Sequence, residues 1–236
     1  MVNPRDEGDS LVYLKSLDFT TQESPSSTRW GGSSKKHNVI LISDEIHCDL
    51  VNPDKKYVPF ENIAKDKSNI ITCLAPTKTF NIAGIQGSIV YVPNKQMYES
   101  IKSRLELDDS SQINVFSIVA TVTAFNECES WLNQLNEYIY KNKQIVDDYF
   151  KNNIPQIKPV HSQATYLLWL DCTQLNVKSR ELNNYLNDKT GLLLSPGIQF
   201  GENGDNFLRL NIACPKEMLL DGLKRLKQGV YELKDS

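Results

Sequence analysis

Residues 39–50 read VILISDEIHCDL, and residues 69–88 read NIITCLAPTKTFNIAGIQGS. Each opens as a short unbroken apolar run, the pattern of a strand buried on both faces of a parallel sheet. Each closes on residues able to do chemistry: Asp44, Glu45, His47, Cys48 and Asp49 after the first run, Lys78 after the second. Open α/β sheets bind their ligands at the carboxyl ends of the strands. A lysine and a carboxylate on neighbouring strands can hold an electrophilic cofactor there. Desolvation at the end of a buried strand lowers an amine's pKa from about 10.4 and frees it to form a Schiff base.

Taken separately, the two clusters leave alternatives open. The five side chains of 44–49 are all metal-ligand types. In an extended segment, however, Asp44 and Cys48 face one way with Ile46, while Glu45, His47 and Asp49 face the other. A strand end carrying solvated charges is a second reading, and a cofactor site a third. A lone lysine beside a threonine is by itself a surface lysine.

Outward from this centre, GSIVYV (87–92) is a third strand and 95–107 a helix with Met97, Ile101 and Leu105 on one face. Residues 112–152 give two successive helices. In the second, Trp131, Leu135, Tyr138, Ile145 and Tyr149 recur at helical spacing and are expected at a core or interface. A strand is expected within 160–171 and a helix over 179–189, with Ser179 as its N-cap. GLLLSPGIQFG then reads as a strand entering a turn, FLRLNI as a further strand, and 216–233 as a helix with Met218, Leu219, Leu223, Leu226 and Val230 inward. Strands and helices alternate, so the fold class is α/β. Near the N-terminus, SLVYLKSLDF can form a short strand or helical turn, whereas TTQESPSSTRWGGSSKK has no periodicity and reads as loop. RWGGSSKK lacks the spacing of a phosphate loop.

With 236 residues, a formal net charge of −3 and a pI near 5.7, the chain has room for a core and no basic footprint. Neither a nucleic acid nor an anionic membrane is an expected partner. No apolar run spans a bilayer, and MVNPRDEGDS offers no apolar core for a signal peptide. Five scattered cysteines without a CxxC pair read as free thiols, mostly small buried hydrophobes, in the cytoplasm.

Together the stretches are more specific. SDEIHCDL, followed about thirty residues later by APTKTFNIAG and near the end by NFLRLNIACP, resembles the fold-type I pyridoxal-phosphate enzymes. Within them the chain is most similar to the MalY/PatB group of cystathionine β-lyases (C–S lyases) of the class I/II aminotransferase superfamily. ATYLLWLD and LSPGIQFG fit the same family's small domain, and the likeness covers about residues 37–234.

The resemblance implies pyridoxal 5′-phosphate as cofactor and an amino acid as substrate. Lys78 would be the Schiff-base lysine and Asp44 the partner of the pyridine nitrogen. His47 would lie by the phenolic oxygen, Thr77 by the phosphate, and Arg209 would bind the substrate α-carboxylate. Gln86 stands where many aminotransferases carry an arginine. The activity implied is a C–S β-lyase or aminotransferase, usually of a homodimer. The domains implied are a poorly structured leader (1–37), the C-terminal part of a mostly parallel large domain (38–125) and a small α+β domain (126–236). The family's N-terminal half supplies the phosphate cradle and a ring-stacking aromatic, and neither is expected here. The alternative is therefore a truncated, non-catalytic remnant.

Overall fold

The computed structural model describes residues 11–15, 37, 39–64 and 66–234, and RWGGSSKK lies outside them. The chain divides into two compact units at Leu135 and Asn136.

In the first unit, β1 (Leu11–Lys15), β2 (Ile40–Asp44), β3 (Ile70–Leu74) and β4 (Ile89–Tyr91) form one sheet in that order. The strand allowed for in SLVYLKSLDF is β1, so the expected leader is structured over those five residues. The strands β1, β2 and β3 are parallel, and β4 runs antiparallel to β3. The reversal follows from the link. After β3 the chain makes only α2 (Pro76–Thr79) and a 3₁₀ turn (Ala83–Ile85), and folds back beside β3 instead of crossing the sheet.

Between β2 and β3, α1 (Phe60–Ile63) supplies Phe60, which is fully buried in a cluster with Leu41, Ala64 and Ile70. Fully burying a side chain of this size contributes about 1.5–3 kcal/mol. Next, α3 spans Lys95–Leu107, its first turn capped by Met97 N–H donating to Asn94 Oδ1 at 3.0 Å. Its expected inner face, Met97, Ile101 and Leu105, is only half-buried. Helix α4 (Val115–Glu127) buries Ser117 and Ala124 and leaves Val115, Phe116, Val119 and Val122 exposed. Ile89, Val90 and Tyr91 of β4 are also exposed. Gly87 is required by packing, because a Cβ there would collide with the Ser117 hydroxyl.

Helix α5 (Glu129–Asn153) buries Ile139, Asn142, Lys143, Val146 and Phe150. The expected stripe is a different face: Trp131 and Tyr138 are exposed, and Leu135, Ile145 and Tyr149 half-buried. Two polar residues, Asn142 and Lys143, occupy the inner face because each finds backbone acceptors there. No helix among the described residues is long and apolar enough to cross a membrane.

The second unit is an antiparallel sheet of β5 (Lys158–Pro159), β6 (Leu167–Asp171), β7 (Ser195–Pro196) and β8 (Phe207–Asn211), in the order β5-β6-β8-β7. Leu168, Leu170, Leu208 and Leu210 alternate onto its buried face. Helices α6 (Ser179–Thr190) and α7 (Lys216–Lys234) pack together where Gly229 replaces a side chain, since a Cβ there would lie 2.5 Å from Leu186 Cδ2. Leu219, Leu223, Leu226 and Val230 are buried as expected, but Met218 is 63% exposed.

Local chemistry explains the other departures. The strand expected within 160–171 starts only at Leu167, because Thr165 takes a left-handed conformation (φ 58°). GLLLSPG yields only β7: Leu194 N–H donates to Asn183 Oδ1 at 2.9 Å, and Leu193 is exposed. The N-cap of α6 is Lys178. Ser179 instead donates to Asp205 Oδ1 and accepts from Ile198 N–H, at 3.0 and 3.2 Å. All five cysteines are free, but only Cys172 is fully buried.

Asn142 Nδ2 donates to the carbonyls of Ile212 and Cys214 at 2.9 and 3.1 Å. Asn142→Ala strands both acceptors and is expected to destabilise the chain by about 2 kcal/mol or more in guanidinium unfolding. Beside it, Lys143 Nζ donates to the carbonyls of Ser162 and Ala164 at 3.3 and 3.2 Å. Burial lowers its pKa from 10.5 to about 8. Between those values the unfolded chain binds the extra proton, so Lys143 makes stability rise with pH over that window. The rise should be larger in the wild type than in Lys143→Met; equal slopes would refute it.

Candidate active site

Parallel pairing of β2 with β3 sets Asp44 opposite Cys73. Both strands therefore deliver their chemical residues to the same sheet edge. Asp44 ends β2 with 6% of its surface exposed, and its Oδ1 accepts from Ile46 N–H at 3.4 Å. That contact begins a turn over Ile46–Asp49, continued by Cys48 N–H donating to the Glu45 carbonyl at 3.0 Å and Leu50 N–H to the His47 carbonyl at 3.1 Å. The segment is therefore not extended, and the two-face alternation expected for 44–49 does not hold. His47 is buried in this turn, 6% exposed.

Beyond β3, Pro76 opens α2 at a position where its missing N–H costs nothing. Pro76 and Thr79 are the buried residues of this single turn, Thr77 is half-buried and Lys78 points to solvent. The expected desolvation of Lys78 is thus absent, because a one-turn helix turns one side inward and this residue outward. Gln86 is exposed in a left-handed conformation (φ 57°) after the 3₁₀ turn. Asp44, His47, Thr77 and Lys78 all lie at the carboxyl edge of the parallel sheet. Arg209 belongs to the second unit.

Two residues of this edge drew no role from sequence. Glu45 is 1% exposed, and its Oε1 accepts from Ser43 Oγ at 2.8 Å and from Phe60 N–H at 3.0 Å. Burial raises its pKa. Thr79 is fully buried and donates to Asp49 Oδ2 at 3.1 Å. The only sequence signal for Thr79 was its place beside Lys78. Burial, followed by the Asp49 and Glu45 charges, pushes the Cys48 thiol up, so it stays protonated at neutral pH. Among the described residues no cluster of His, Cys, Asp and Glu can hold a metal ion.

Arg209 sits at the centre of β8, in register with Trp169 on β6 and Ser195 on β7. Its guanidinium carbon lies 4.4 Å from the centroid of the Phe200 ring, and Nη2 donates to Ser195 Oγ at 3.4 Å. Trp169 meets Phe200 and Phe207 edge to face, at 5.4 and 5.9 Å. A half-buried guanidinium seated over an aromatic ring presents its remaining donors as a fork, which suits a carboxylate.

Over 196 residues the chain is 34% identical to cystathionine beta-lyase PatB of Bacillus subtilis, covering 83% of this chain and 51% of that protein. It is 31% identical to protein MalY of Escherichia coli over 197 residues, covering 83% and 50%. A crystal structure of a PLP-bound protein from Clostridium difficile 630 superposes with a TM-score of 0.88 at 36% identity, covering 94% of this chain and 58% of that one. The chain spans about half the length of the curated relatives it matches. The model of the family "Aminotransferase class I and II" matches residues 33–226, and the chain belongs to that family.

Proposed function

We propose that the chain carries the lysine-bearing part of a pyridoxal-phosphate-dependent enzyme acting on amino acids, with C–S β-lyase activity of the cystathionine β-lyase kind. The observation that carries this reading is a buried carboxylate, Asp44, and an accessible amine, Lys78, on adjacent segments of one parallel sheet edge. These residues fit pyridoxal phosphate. A carboxylate kept in a dry strand end suits the cofactor's ring nitrogen, and a solvent-facing amine can reach its aldehyde. Thr77 and His47 are the further contacts proposed, at the phosphate and the phenolic oxygen.

When bound, the cofactor supplies an electron sink for the pair of electrons left by a substrate's α-proton. The protein's own part is to hold and move protons. Asp44 would hold the cofactor's ring nitrogen in its protonated form. Lys78 would anchor the cofactor and would accept the substrate α-proton at Nζ. Arg209 would bind the substrate α-carboxylate. Loss of a thiol from the β-carbon, then hydrolysis to pyruvate and ammonia, defines the lyase outcome; aminotransfer shares the proton abstraction.

A second reading, a domain without turnover of its own, is favoured by the exposed apolar faces of β4 and α4. The experiment separates the two. Borohydride reduction in the presence of pyridoxal phosphate should fix the cofactor to Lys78, and Lys78→Ala should lose that peptide adduct. Asp44→Ala should weaken cofactor binding about tenfold or more, the size of a charge-assisted hydrogen bond. Pyruvate release from cystathionine supports the lyase, with Arg209→Lys raising KM about tenfold through loss of the fork geometry. Trapping on Lys78 without pyruvate release or aminotransfer supports the second reading, and no preference for Lys78 in trapping refutes both cofactor roles.

A further inference from the structure

Lys78 stands on a helix of one turn, and an isolated turn is not stable by itself. Its local bonds, Phe80 N–H to the Pro76 carbonyl at 2.9 Å and Ile82 N–H to the Thr77 carbonyl at 3.1 Å, shape the turn without fixing where it points. Two side chains, Phe80 and Thr79, fix its direction. The Phe80 ring stacks on Trp131 at 5.9 Å and meets Phe125 edge to face at 5.6 Å. On the other side, Thr79 reaches across 30 positions of sequence to Asp49.

We infer that Asp49 and Thr79 are positioning residues, whose part-buried hydrogen bond locks the Lys78 turn to the turn that carries Asp44 and His47. The inference rests on the reading of Lys78 and Asp44 as cofactor ligands. A helical threonine commonly satisfies its hydroxyl on a carbonyl of its own helix. Thr79 is 0% exposed and donates instead to a carboxylate on the neighbouring turn. That acceptor turn is itself held. Glu45 ties its upstream end to Ser43 and to the Phe60 amide, and backbone hydrogen bonds close it at Cys48 and Leu50. A displacement of Asp49 is thus passed to Lys78 through one side-chain contact, with His47 two residues away on the same turn. The Cys48 thiol, kept protonated, lies in the field of the same carboxylate.

The test uses the full chain with Thr79→Val, Thr79→Ser, Asp49→Ala and the double variant Asp49→Ala/Thr79→Val. Two readouts are taken: amide exchange of peptides over 46–50 and 76–82, and borohydride trapping of pyridoxal phosphate on each lysine by peptide mass spectrometry. Thr79→Val keeps the shape and removes the donor, so exchange in both peptides should quicken together. Trapping on Lys78 should fall about tenfold while that on other lysines is unchanged, the size of one hydrogen bond to a charged acceptor. Thr79→Ser should restore both readouts. The double variant should lose no more than the worse single one, because the two residues act through one contact. Unchanged exchange in Thr79→Val, or failure of Thr79→Ser to restore it, overturns the inference whatever the cofactor does. If the wild type traps no cofactor preferentially on Lys78, the cofactor reading falls, and coupled, serine-rescued exchange still upholds the lock.

Discussion

The parallel pairing of β2 with β3 is the constraint on which the candidate site depends. Two parallel neighbours must end at the same edge, so Asp44 and the turn bearing Lys78 emerge side by side although 34 positions separate them in sequence. In an antiparallel pair the same two strand ends would lie at opposite edges. Everything chemical in the first unit follows from that choice of direction. The buried link through Phe60 makes it stable, because α1 covers Leu41 and Ile70 with a fully buried aromatic ring.

The site also shows how carboxylates so close together are given different tasks. Asp44 is at the strand end and aimed at the edge. Glu45 turns back to anchor the strand to α1, and its burial is offset by donors from Ser43 and Phe60. Asp49 turns across to Thr79. Buried carboxylates are tolerated where hydrogen bonds replace the lost water. In the second unit, Asn142 and Lys143 follow the same rule in the opposite sense, their donors meeting the carbonyls of Ile212 and Cys214 and of Ser162 and Ala164.

Much of this was legible in the amino-acid order. The apolar runs ending at Asp44 and before Lys78 have the length and continuity of strands buried on both faces, and they are β2 and β3. The helices 95–107 and 216–234 carry clear periodicity and sit where it put them. The misreadings have a common origin. Apolarity alone points to one stripe of α5, yet Asn142 and Lys143 lie on the buried face, where they meet backbone acceptors. Met218 satisfies the period of α7 but lies beyond the surface its neighbours cover. GLLLSPG reads as a strand, whereas the Leu194 N–H donates to the Asn183 amide oxygen and only Ser195–Pro196 joins the sheet. Each error assigned by hydrophobicity what a specific hydrogen bond or the edge of the core decides.

The sequence alone determined the class of fold, its family likeness and the identity of the candidate site residues. Those rest on local composition and short ordered motifs, which survive in one dimension. Tertiary structure decided the rest. It made β4 antiparallel, turned Lys78 to solvent on a single helical turn and closed 46–49 into a turn where alternation predicted extension. It also joined Thr79 to Asp49. Such features depend on which atoms meet across tens of residues, and a hydrogen bond between distant turns leaves no periodicity in the chain that makes it.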